Sequence, residues 1–380
     1  MAFLSSSRLA VKVIFFLNGF AHANYMARLP RIQEQFQIDN SLVGLTLLAS
    51  SVGALFAMPF TGWLIIRNGS RKIGITSVIA YCCLVPFIPL MPSLAGLLFL
   101  FLLLGISAGM LDVSMNSQAV MVEQQLGKPI MTSFHALFSI GMMLGALAGS
   151  FFTKIGVGLF PHFAIISTLC LVPIFLSIKY LVNDKPEVKK TSEPLFRLPN
   201  AAMVSIGLIA FCSMLGEGAM ADWSTNYLEV IAKADPALAP IGLSAFALAM
   251  TIGRVLGDGA RVKFGDRVLM ILCGVISTTG LCFALIVNNP YLVIVGLFIV
   301  GLGLSVIVPI AYSIAGNSKD LPPGVGLAMV TTVGYSGFLF GPPIIGFLAD
   351  WQNLRYALIL VVVLFLLMTI LSFLRKQKAA

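Results

Sequence analysis

The sequence predicts an all-α membrane protein of twelve transmembrane helices arranged as two six-helix repeats. Three observations carry that prediction. Of 380 residues, 58% are hydrophobic and only 10% charged, with a mean hydropathy of +0.98, whereas a soluble chain carries about 25% charged residues. Cutting the chain at its charges, prolines and glycines leaves twelve apolar pieces, each close to the ~20 residues that a helix needs to cross a bilayer. Finally, a shift of 196 residues lays Gly69-Ser-Arg71 on Gly265-Asp-Arg267, Gly105 on Gly301, Gly141 on Gly337 and Gly145 on Gly341. Glycine is costly inside a helix unless close packing requires it, so its recurrence at a single offset marks a structural repeat.

In chain order, the predicted spans are 9–29, 42–66, 73–91, 94–119, 132–153, 159–181, 201–228, 240–263, 268–287, 291–315, 324–349 and 355–374. The apolar run after Arg8 continues to about Met26 without a small-residue cleavage site, so it reads as the first span and not as a removable signal peptide. A polar stretch rich in charge and proline, Asn183 to Arg197, separates the sixth span from the seventh. This divides the chain into an N-terminal half (1–182), a linker (183–199) and a C-terminal half (200–380). With the linker and alternate connections in the cytoplasm, only Arg28, Arg31, Lys154, Lys233 and Arg355 of the 24 Lys and Arg fall outside. Such a bias predicts cytoplasmic termini for a multi-pass membrane protein.

The net charge of +9 does not point to nucleic acid, because the basic residues sit in short connections and not on a patch with interleaved aromatics. The six cysteines all lie in apolar runs without metal-ligand spacing, predicting buried thiols, no disulfide framework and no metal. No P-loop, G-x-S-x-G or soluble acid pair suggests an enzyme, and no cofactor is implied.

The polar residues inside the spans are where function is expected. Gly105-Ile-Ser-Ala-Gly-Met-Leu-Asp112-Val-Ser-Met-Asn116-Ser-Gln118 puts a carboxylate, an asparagine and a glutamine in the fourth span. A charge near mid-bilayer costs about 2.5–3.5 kcal/mol on insertion scales, so it persists only where it faces protein, water or a solute. Glu217 and Asp222 lie in the seventh span, about 140° apart on a regular helix, and share a cavity only if Gly216 and Gly218 let the helix unwind. Asp112, Glu217 and Asp222 are the candidates for proton exchange. Asn18, His22, Asn24, Asn116, Gln118 and Asn226 offer donors and acceptors to a polar solute, as does His135, and Trp223 with Tyr227 offers an apolar face. Each has a structural alternative. Lone Asn and His side chains often hydrogen-bond between helices, Asp112 could pair with Lys128 or Arg71, and Asp222 and Trp223 could anchor the interface or gate it.

Twelve helices, a central linker and a 6+6 repeat resemble the major facilitator superfamily, whose halves rock around a midplane solute site. Gly62-Trp-Leu-Ile-Ile-Arg67-Asn-Gly69-Ser-Arg71-Lys72 is similar to that superfamily's G-x-x-x-D-R-x-G-R-[RK]-[RK] loop, with Ile66 in place of the aspartate and Ser70 in place of an arginine. The resemblance implies a conformational latch at Arg67, Gly69 and Arg71, and a second one at Arg254, Asp258 and Arg261. Phe15 to Pro30 and Leu111-Asp112-Val-Ser-Met-Asn116 further resemble the fucose permease-like branch of sugar/proton symporters, with Asp112 where that branch keeps an essential glutamate and Met26 where it keeps an aspartate. The expected function is therefore a monomeric secondary transporter moving a small sugar-like solute with protons by alternating access. The alternatives are a proton-coupled efflux antiporter and, from another class, a non-transporting sensor with a carrier fold.

Overall fold

The computed structural model describes residues 2–127, 130–184, 201–316 and 325–375, so most of the predicted linker lies outside the described residues. These segments are helical almost throughout. Packing divides the chain into two compact units, Met1–Lys190 with Pro236–Ser244, and Thr191–Asp235 with Ala245–Ala380.

The first unit contains α1 (Ala2–Met26), α2 (Leu29–Phe36), α3 (Asn40–Asn68), α4 (Ser70–Leu84), α5 (Leu94–Leu126), α6 (Met131–Lys154) and α7 (Leu159–Ser177). Short polar side chains begin the spans by accepting from orphan amides: Asp39 from Leu42 N at 2.8 Å and Ser93 from Gly96 N at 3.3 Å. A core of Phe15, Met115, Phe134, Ile166 and Ile174 joins α1, α5, α6 and α7, with the Phe15 and Phe134 rings stacked at 5.6 Å. Phe56, Phe60, Phe99 and Phe175 point outward, as a surface meeting hydrocarbon requires. Cys83 is exposed and Cys282 half-buried, so the expectation of six buried thiols holds only for the other four; all six are free.

The second unit contains α8 (Ala201–Asn226), α9 (Pro240–Phe264, from Ala245 onward), α10 (Asp266–Ile286), α11 (Pro290–Leu304), α12 (Ile307–Gly316), α13 (Val325–Trp351) and α14 (Leu354–Leu374). α8 continues into a π turn at Tyr227–Ile231 and is the central helix of this unit, with 72% of its span buried against 33% for α3. It packs on α13, α14 and α12.

The repeat recurs in three dimensions. A side chain at Gly105 would run into the Ser50 carbonyl, and one at Gly301 into the carbonyl of Phe246, which lies 196 residues after Ser50. Gly141 and Gly145 face the Phe16 and Phe20 carbonyls, while Gly337 faces the Phe211 carbonyl and Gly341 the Leu215 side chain. Gly69 (φ 81°) and Gly265 (φ 74°) make the same left-handed break between consecutive helices, a conformation open to glycine because it lacks a Cβ.

Two details differ from expectation. Eleven segments among the described residues are long and apolar enough to cross a membrane, and α1 is not one of them; Lys12, Asn18, His22 and Asn24 lower its hydropathy although its 25 residues suffice in length. The connection after α1 also folds into α2, an eight-residue amphipathic helix with a proline in its first turn.

Candidate functional site

In α5, Asp112 and Asn116 are both half-buried and stand one turn apart. Asn116 Nδ2 donates to the Asp112 carbonyl at 2.8 Å and to its Oδ1 at 3.2 Å, so amide and carboxylate act as one polar unit on one helix face. Gln118 faces elsewhere. It is 1% exposed, donates to Ser70 Oγ (2.7 Å) and the Val182 carbonyl (2.9 Å), and accepts from Val182 N (2.9 Å). Every polar atom of its amide is thus engaged in tying α5 to the start of α4 and the chain leaving α7.

The α1 residues fall into two groups. Asn24 is fully buried: its Nδ2 donates to the Phe20 carbonyl at 2.7 Å, and its Oδ1 lies 3.0 Å from His162 Nε2. That makes it an interhelical contact between α1 and α7, with the His162 ring stacked on Phe152 at 4.2 Å. Asn18 is buried, its amide 3.7 Å from the Met115 sulfur. His22 is half-buried, with Nδ1 2.9 Å from Tyr25 Oη and 3.5 Å from Tyr81 Oη. His135 lies edge-on to Phe15, 5.3 Å between centroids.

In the second unit, α8 stays helical through Gly216 and Gly218. Both glycines are needed for packing, since side chains there would strike Phe365 and Phe338. The unwinding that could have turned Glu217 and Asp222 to one cavity is absent, and the two acids diverge. Glu217 Oε1 pairs with Arg254 Nη2 of α9 at 3.2 Å, the side chains 19% and 12% exposed. Asp222 is half-buried and has no hydrogen bond or ion pair among the described residues. Trp223, a candidate stacking platform, is 0% exposed, and its indole nitrogen has no partner among the described residues. Asn226 is 1% exposed, and Tyr227 is buried with its hydroxyl on the Ala284 carbonyl at 3.3 Å. Among the described residues, no three of His, Cys, Asp and Glu converge as metal ligands would.

At the helix junctions, the Asp184 carboxylate accepts from Ser70 N at 2.5 Å and Arg71 N at 3.3 Å, capping α4 just after Gly69. Arg67 is exposed and lies over Trp63, 4.0 Å from the ring. At the equivalent junction, Arg261 grips Asp266 through Nε (2.5 Å) and Nη2 (3.0 Å) and donates to Ser313 at 2.7 Å. The Asp258 side chain lies outside the described residues, and Arg254, grouped with it by sequence, is engaged by Glu217.

A family model described as the Major Facilitator Superfamily matches residues 13–202 and 206–380. The chain belongs to the Major Facilitator Superfamily. An uncharacterized MFS-type transporter of Yersinia pestis is 33% identical over 356 residues, 93% of this chain and 91% of that protein. The glucose/mannose transporter GlcP of Bacillus subtilis is 24% identical over 283 residues, 71% of this chain and 68% of that one. A crystal structure of the nucleoside transporter NupG superposes with a TM-score of 0.77 at 13% identity, over 96% of this chain and 98% of that one, showing a shared fold. As a superfamily member the chain is a transporter and not an enzyme.

Within that superfamily's loop signature, Ile66 stands where an aspartate is usual, and the carboxylate beside Gly69 comes instead from Asp184. Nothing local in the sequence signals this, because Asp184 lies more than a hundred residues away. His162 against Asn24 and Tyr81 against His22, 138 and 59 residues apart, are equally non-local, whereas Tyr25, three residues after His22, could have been read from helix spacing. Asp184→Asn is expected to destabilise the α4 start by about 1 kcal/mol, the usual worth of a cap, and Gln118→Ala by roughly 1–3 kcal/mol because buried partners lose their hydrogen bonds. Amide hydrogen exchange at Ser70 and Arg71 tests both: unchanged protection would mean that neither contact holds the junction.

Proposed function

We propose that the chain is a secondary carrier of the bacterial inner membrane that moves a small, sugar-like polar solute together with protons by alternating access, with both termini in the cytoplasm. The observation that carries this reading is the set of acids inside the spans of both units: Asp112 beside Asn116, Glu217 against Arg254, and Asp222. A carboxyl kept in a bilayer span serves an ion pathway by default. A proton on Glu217 removes the charge that holds Arg254, which links proton occupancy to the α8–α9 contact. No nucleotide-binding motif offers another energy source, so an ion gradient supplies it.

Asn18, His22 and Asn116 are the polar residues assigned to the solute, and they suit hydroxyl and carbonyl groups better than a large cation. The likeness to the glucose/mannose transporter, and of the fold to a nucleoside transporter, supports this solute class. Likeness to the fucose permease-like branch adds Asp112 as its coupling acid. Asn24, Gln118, Trp223 and Asn226 are closed off in this conformation and would reach a solute only after rearrangement. Arg67, Gly69, Arg71, Arg254 and Arg261 are assigned to conformational control.

Proteoliposomes loaded with a pH dye provide the test, with D-glucose, D-mannose, uridine and tetraphenylphosphonium added in turn. One of the first three should acidify the lumen in wild type, and Glu217→Gln or Asp112→Asn should reduce that signal at least tenfold. Solute uptake without any pH change, unaltered in Asp112→Asn, Glu217→Gln and Asp222→Asn, would overturn proton coupling. Acidification reversed in sign and elicited only by tetraphenylphosphonium would favour the antiporter.

A further inference from the structure

We propose that Tyr25 and Tyr81 are positioning residues that hold His22 as its Nε2–H tautomer, so that the solute group meeting α1 must be a hydrogen-bond acceptor. The proposal rests on the reading above that His22 belongs to the solute site.

Tyr25 and Tyr81 are 2% and 1% exposed. A buried phenol needs a partner for its O–H. Tyr81 Oη donates to Tyr25 Oη at 3.4 Å, and Tyr25 Oη then lies 2.9 Å from His22 Nδ1, with Tyr81 Oη also within 3.5 Å of that nitrogen. The Tyr25 ring stands edge-on to the imidazole, 5.2 Å between centroids, and edge-on to Phe101 of α5 on its other side, 6.1 Å away. Packing from α1, α4 and α5 therefore fixes the Tyr25 ring beside the imidazole.

With Tyr81 donating to Tyr25, the Tyr25 hydroxyl proton is left to donate to Nδ1, and the proposed tautomer accordingly carries the imidazole proton on Nε2. Nε2 itself has no partner among the described residues, and the ring is half-buried, not sealed. The residue thus presents a single N–H in fixed orientation. A hydroxyl, ring oxygen or carbonyl satisfies it. An ammonium, which carries donors only, leaves both groups unmatched. The relay therefore selects against cationic solutes at this position, a specificity built by two residues that touch no solute themselves.

The full-length protein labelled with ¹⁵N-histidine reports the tautomer directly. The chain has three histidines, and His135→Gln and His162→Gln assign the remaining signals to His22. Wild-type His22 should show Nε2 in the protonated, pyrrole-type range and Nδ1 in the unprotonated range. Tyr25→Phe should move both resonances toward the average of the two tautomers, and Tyr81→Phe should do so less. A protonated Nδ1 in wild type, or resonances unmoved in both tyrosine variants, would overturn the proposal. The second arm measures uptake of D-glucose, D-mannose and uridine. The amide nitrogen of Gln reaches about as far as Nε2, and that of Asn only as far as Nδ1. His22→Gln should therefore keep uptake, while His22→Asn should lose about tenfold, the worth of one net hydrogen bond. Equal uptake in both variants would overturn the solute contact even with the tautomer as stated. Loss of proton coupling with the tautomer intact would instead strike the reading of function.

Discussion

Glu217→Ala should destabilise the second unit by about 2–3 kcal/mol. Removing one member of a buried ion pair costs roughly 3–5 kcal/mol because a desolvated charge loses its counter-charge. Here the pair keeps some access to water, with 19% and 12% of the side chains exposed, which sets the expectation below that range. Glu217→Gln retains an oxygen toward the guanidinium and should lose less, about 1 kcal/mol. Arg254→Ala should match Glu217→Ala, and the double variant should be no worse than either single one. The resulting interaction energy, about 2–3 kcal/mol, is read from a double-mutant cycle of chemical unfolding in detergent. Strict additivity would mean that the 3.2 Å contact holds nothing, and the proposed link between a proton on Glu217 and the α8–α9 contact would go with it.

How well the chain could be read from sequence depended on whether a residue's partner was local. The spans follow from hydropathy, a property of consecutive residues, and eleven of the twelve predicted segments needed nothing else. α1 passed as a span despite its polar residues because its length and neighbours outweighed them. α2 went unseen: Leu29–Phe36 is too short to span, and its charges resemble an ordinary loop. The repeat was legible in its glycines because close backbone approach leaves little choice of residue. The polar residues were harder. Gln118 and Asn24 carry the same donors and acceptors as a solute ligand, and only their partners, Val182 and His162, reveal that these are already spent on the fold. The angle between Glu217 and Asp222 was readable from helical geometry, but the aromatic rings packed against Gly216 and Gly218 come from α13 and α14.

Gly105→Ala should be among the most damaging substitutions of a single methyl group in the chain, costing about 3 kcal/mol, at the upper end of overpacking. The Cβ would enter the carbonyl group of Ser50, and backbone cannot step aside as a flexible side chain can, so α3 and α5 must separate along their shared seam. Gly301→Ala meets the Phe246 carbonyl and the Ala249 methyl at the equivalent crossing and should follow the same course in the second unit, somewhat less severely because the approach is less close. Gly62→Ala is the contrasting case. Gly62 lies inside α3 with nothing within 4 Å of an added methyl, so only helix propensity remains, and alanine should stabilise by up to about 1 kcal/mol. Thermal unfolding in detergent should rank the variants Gly62→Ala, Gly301→Ala, Gly105→Ala from most to least stable. If Gly105→Ala unfolded with Gly62→Ala, the glycines would reflect composition and not contact, and the structural argument for the repeat would fail at its most constrained position.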